Sequence, residues 1–146
     1  MKIRFFLLVF LTLFSAKAWC AQDVVVVVHK INVVNKVTLQ ELQDFYMGES
    51  NTYKKTTIKV KLCMNIDAKD DFFNKIELEE KEANFHKAKL LVVGRDDTVV
   101  IPRKIRTSEI MTYFSHNKTS GLCFMNKKDY DNLSSTEKDA LKIVYQ

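Results

Sequence analysis

The 146-residue chain is 47% apolar and has only three glycines and one proline, which excludes a disordered or linker-rich protein. Its net charge of +5 does not argue for nucleic acid. Lys2, Arg4 and Lys17 belong to an N-terminal leader; removing these three from 23 basic residues leaves 20 against 18 acidic ones, interspersed along the chain.

The chain opens with Lys2 and Arg4, then an apolar run from Phe5 to Phe14 in which Thr12 is the one hydroxyl residue. Ser15-Ala16-Lys17-Ala18 follows, with the small-x-small spacing that signal peptidase cuts. Residues 1–18 therefore read as a secretory signal, with a cut as late as residue 21 as the alternative. The run is too short and wrongly flanked for a stable membrane span. Trp19 precedes Cys20, where lipidation needs a small residue. The remainder, 19–146, has the length of one domain and is expected in the periplasm or outside the cell.

Asp23 to His29 is an almost continuous valine run, the pattern of a strand buried on both faces. Thr38-Leu39-Gln40-Glu41 is a capping box, and Leu39, Leu42, Phe45 and Tyr46 share one helical face that Gly48 ends. Ile58 to Met64 alternates as a second strand. Asp67 to Asp71 starts a second helix, its acids at the positive end, with Phe72, Phe73 and Ile76 inward. Leu78 to Leu91 predicts a third helix, and Gly94 to Asp97 a loop. Pro102 interrupts regular structure, and Thr107 or Ser108 caps a helix that buries Ile110, Met111 and Phe114. Leu122 to Met125 is a third strand, Ser134-x-x-Glu137 a second capping box, and Leu141 to Tyr145 a terminal strand. Strands alternating with helices predict an α/β fold with a mostly parallel sheet flanked by helices.

No catalytic constellation emerges: the chain has no Gly-rich phosphate loop, no nucleophile elbow and no zinc helix. If Cys20 is lost with the leader, two of the three cysteines remain, and these with three scattered histidines have no metal-ligand spacing, so no metal or cofactor is expected. Cys63 and Cys123 sit in strand-like segments. Export permits a disulfide between them, and two buried free thiols are the alternative. Asn117-Lys118-Thr119 and Asn132-Leu133-Ser134 match a glycosylation sequon that is weak evidence alone.

The order of these segments resembles the short phosphate ABC transporter substrate-binding-like proteins, relatives of the type 2 periplasmic binding proteins. The residues that carry the likeness are the valine strand, the Leu39–Gly48-Glu49 helix, Phe72-Phe73, the stretch from Phe85 to Gly94-Arg95, Pro102 with Ser108-Glu109, and Ser120-Gly121-Leu122-Cys123-Phe124. The resemblance implies a reduced binding-protein-like domain without catalysis. It also implies a small anion as ligand, and an envelope protein or ABC permease as partner. A site would gather at strand ends and helix starts: His29 and Asn32 in the first loop, Thr38 at the helix facing it, Asn65 after the second strand, Arg95 as a cation, and Thr119 and Ser120 beside the last strand. Where relatives carry hydroxyl donors, this chain has Asp67, Asp70 and Asp71, which repel phosphate. Two readings follow: an exported solute-binding-like protein, or a ligand-free interaction or accessory protein of an envelope complex or sensor.

Overall fold

The structure is a computed structural model that describes residues 22–53, 56–83 and 101–146. The leader, Cys20, Arg95, the Gly94–Asp97 loop and the third predicted helix beyond residue 83 lie outside the described residues.

Strands β1 (Val24–His29), β2 (Lys61–Asn65), β3 (Arg103–Ile105), β4 (Gly121–Asn126) and β5 (Leu141–Tyr145) form one sheet in the order β3-β2-β4-β1-β5. Helices α1 (Leu39–Met47) and α2 (Lys69–Lys75) follow the first two strands. A 3-10 turn at Thr107–Glu109 leads into α3 (Ile110–His116), and α4 (Lys127–Asp131) and α5 (Ser135–Ala140) separate the last two strands.

The sheet is mixed, not mostly parallel. β2 pairs in parallel with β3 and β4, but β1 is antiparallel to both β4 and β5. One strand, the valine strand, runs against the other four. The alternation of strands and helices conceals this, because hydrophobic pattern reports burial and carries no direction. β3, after Pro102, is a strand that the hydrophobic pattern does not signal. It is three residues long, lies at the sheet edge and exposes Arg103 and Lys104, so it has no apolar signature.

Burial of β1 on both faces is as its composition predicts: Val24 to Val28 are at most 1% exposed. Period-2 alternation divides them. Val24, Val26 and Val28 join Leu62, Met64, Leu122 and Phe124 under α1 and α2, against Leu42, Phe45, Tyr46, Phe72, Phe73 and Ile76. Val25 and Val27 join Cys63, Cys123 and Met125 under α3, against Ile110, Tyr113 and Phe114. Phe72 and Phe124 stack with ring centroids 3.8 Å apart, and Tyr46 meets both edge-on. The Tyr46 hydroxyl donates to the Cys63 carbonyl at 2.8 Å, so a wholly buried phenol keeps a partner.

The capping boxes and the glycine stop form as the sequence predicts, but the expected Thr107 or Ser108 cap does not: both residues lie inside the 3-10 turn that follows Arg106, and α3 begins at Ile110 after Glu109 without a side-chain cap. Both capping boxes form, at Thr38 with Glu41 and at Ser134 with Glu137. Gly48 ends α1 at φ 81°, and its N–H and that of Glu49 donate to the last helical carbonyls. The second strand starts later than Ile58, at Lys61, since Lys59 instead makes an isolated antiparallel bridge to Thr52. On α3, Tyr113 is buried and Met111 only partly so.

α2 ends against the usual preference. Glu77 takes φ 54°, while its own N–H and that of Leu78 donate to Asn74 and Phe73 carbonyls. A side chain in this left-handed conformation costs about 1 kcal/mol that glycine avoids. Glu77 is exposed. Glu77→Gly is therefore expected to raise stability by about 1 kcal/mol in denaturant melts, and a loss of stability would show that the carboxylate has a role in the fold.

Candidate functional site

Parallel strands align their carboxyl ends, and in open α/β sheets ligands sit beyond those ends. Here the ends are Asn65 of β2, Ile105 of β3 and Asn126 of β4. Asn65 is fully buried. Its Nδ2 donates to the Phe124 carbonyl at 3.1 Å and to Thr107 Oγ1 at 3.0 Å. Its Oδ1 accepts from the Asp67 N–H at 3.1 Å, the local turn that asparagine favours. The Asp67 carboxylate then reaches across 40 positions of sequence and accepts from the Thr107 N–H at 2.9 Å.

That last bond decides what the end of the sheet can hold. The start of a helical segment leaves amide donors outside its own ladder, and such donors suit an anion. Asp67 supplies the negative charge from within the chain. Sequence reasoning places Asp67 at the start of α2, but α2 begins at Lys69 with Ala68 as its uncapped boundary. Asp70 and Asp71 do lie in its first turn. Asp71 accepts from the Gln22 N–H at 3.3 Å. Asn126 Oδ1 at the end of β4 is buried without a hydrogen-bond partner.

The sequence-predicted site residues fall in separate places. Because β1 is reversed, His29 emerges at the opposite end of the sheet from Asn65. Asn32 is there too, 2% exposed, its Nδ2 donating to the Gly121 carbonyl at 3.3 Å and its Oδ1 accepting from the Val34 N–H at 3.0 Å. Thr119 and Ser120 precede Gly121 and belong to this second group, with the Ser120 carbonyl accepting from Lys61 N–H. Burial, together with Lys118 and Lys30, holds the His29 imidazole below its ordinary pKa. Thr38 lies elsewhere, next to Val37, whose N–H donates to Val144 of β5, and its hydroxyl serves the α1 cap. Arg95 lies outside the described residues.

A shallow cavity of about 200 Å³ opens between β3 and α3, lined by Arg103, Ile105, Glu109, Thr112, Tyr113 and His116. Its Tyr113 hydroxyl already donates to the Lys61 carbonyl at 2.6 Å, and burial raises the phenol pKa. That phenol is unsuited to acid–base work near neutral pH. Among the described residues, no three His, Cys, Asp or Glu side chains are grouped to hold a metal ion, and no helix is long and apolar enough to cross a membrane.

Continuing the β2–β4 register sets Cys63 opposite Cys123, and a disulfide joins them with Cα atoms 5.0 Å apart. Both residues are fully buried on the α3 face.

No protein-family model matches the sequence, and no curated protein matches it.

Proposed function

We propose that the chain is an exported, non-enzymatic α/β domain of binding-protein-like descent that acts through macromolecular contacts in the cell envelope, as an accessory or interaction protein, and does not carry phosphate. One observation carries this reading: the Asp67 carboxylate occupies the Thr107 amide at the carboxyl ends of the parallel strands. An incoming phosphate would have to displace a tethered carboxylate and then sit beside its charge. The spread of His29, Asn32, Thr38 and Asn65 over separate parts of the sheet also favours this reading over a gathered anion site.

Export is supported by the basic start, the apolar run and Ala16-x-Ala18. The Cys63–Cys123 bridge suits an oxidising compartment. Kinship with the phosphate substrate-binding-like proteins rests on the ordered segments of the sequence, with the α/β character of the fold in accord.

Isothermal titration of the processed protein with phosphate tests the reading. No binding at micromolar phosphate is the expected result. Micromolar or tighter binding would overturn it and favour the solute-binding alternative.

A further inference from the structure

At the end of the sheet where β1 finishes, two aliphatic side chains stand in solvent. Ile31 is 54% exposed and Val33 56%. They alternate with buried Asn32 and Val34, so both point outward. They cannot fold back onto the core, because the backbone between them is held on several sides. Asn32 N–H donates to the His29 carbonyl, and the Asn32 side chain bonds Gly121 and Val34. Lys142 Nζ donates to the Asn32 carbonyl at 2.5 Å and to Asn35 Oδ1 at 2.7 Å. Lys30 N–H donates to the Ala140 carbonyl.

The surroundings are predominantly basic. The segments that meet there, 29–36, 116–121 and 140–142, carry Lys30, Lys36, Lys118 and Lys142 and no carboxylate. Lys61 opens β2 directly opposite Gly121 and is exposed. Asp139 is the acid that borders them in sequence. Lys142 spends donors on a carbonyl and an amide oxygen, and no carboxylate among the described residues forms an ion pair with it.

We propose that this loop docks the protein onto an anionic lipid surface, with Ile31 and Val33 entering the headgroup layer and Lys30, Lys36 and Lys118 facing the phosphates. The charge complementarity is of the kind a bilayer offers. The cations are all lysines, which protein interfaces deplete, and the loop has no Trp, Tyr or Arg of the sort that anchors a protein partner. Lysines near an anionic leaflet each strengthen binding about five-fold, and partly buried aliphatic side chains contribute a similar factor each. The interaction is thus reversible and salt-sensitive. This deepens the interaction reading by naming its surface. The two fail separately, since phosphate titration tests the Asp67 end of the sheet and vesicles test the His29 end.

Cosedimentation of the processed protein with vesicles of about 40 mol % phosphatidylglycerol in phosphatidylcholine, compared with phosphatidylcholine alone, is the test. Binding to the anionic vesicles alone, lost on raising salt to about 1 M, is expected. The Ile31→Ser/Val33→Ser variant should bind about ten-fold or more weakly with an unchanged melting temperature, because both side chains are already exposed. Lys30→Ala and Lys118→Ala should each cost about five-fold and serve as a second probe if the double variant misfolds. Absence of vesicle binding, as when the loop seats on an acidic protein instead, overturns the proposal. So does binding that ignores both sets of substitutions.

Discussion

Reducing the Cys63–Cys123 bridge is expected to lower the free energy of unfolding by about 4 kcal/mol. The bridge closes a loop across a sequence separation of 60, which restricts the unfolded chain far more than a short loop would. It ties β2 to β4, the two strands that connect the β3 edge to the valine strand. Guanidinium unfolding with and without reductant measures the difference. Comparing oxidised and reduced forms of one sequence avoids the cavity that a Cys→Ala pair would leave. Coincident curves would show that the bridge adds nothing. Both sulfurs are buried, so reduction under native conditions should proceed only at the rate at which the sheet opens. Fast reduction by a small thiol would contradict that placement.

Asn65→Leu should be nearly as damaging, at about 3 kcal/mol. The side chains are similar in size, so packing changes little and the loss falls on hydrogen bonds. Asn65 serves the Phe124 carbonyl, the Thr107 hydroxyl and the Asp67 N–H at once. Leucine orphans the buried Phe124 carbonyl at a cost of about 1–3 kcal/mol, and the part-buried Thr107 hydroxyl and Asp67 N–H, nearer to water, add smaller losses. Asp67→Ala removes one exposed cap and should cost only about 1 kcal/mol. Denaturant melts of both variants give the ranking. A larger loss for Asp67→Ala would mean that the carboxylate, and not the amide, organises this end of the sheet.

The features legible in the sequence were those in which the informative residues are close together. Thr38 and Glu41 are three apart, as are Ser134 and Glu137, and both boxes form. Five consecutive valines fix a strand buried on both faces, whatever its neighbours. Strand direction was not legible. The pairing of Val24 with Asn126 and of His29 with Leu141 depends on a topology that no local pattern encodes. That one reversal placed His29 and Asn65 at opposite ends of the sheet and dissolved the site that the strand-end rule had drawn together. The Asp67–Thr107 contact was hidden for a related reason. Asp67 stands two residues before α2, so helix capping nearby is the simplest local account, yet its partner lies 40 residues later. β3 escaped because an edge strand of three residues, two of them charged, looks like a loop.

The position of β1 has a consequence for the order of events as the chain is made. Its valines are made before any other strand of the sheet, yet both of their pairing partners come from the last quarter of the sequence: Val25 waits for Met125, and His29 for Leu141. Until residues 121–145 exist, this uninterrupted valine run, a β-prone segment without charge or proline, has two unsatisfied edges and no sheet to enter. No partly synthesised chain can complete the centre of the sheet. Closure of such distant contacts makes folding slow and late, after release of the whole polypeptide. A chain that leaves the cytoplasm unfolded through a translocon would meet this delay on the far side. Over that interval the valine strand stays exposed until the carboxyl-terminal strands arrive.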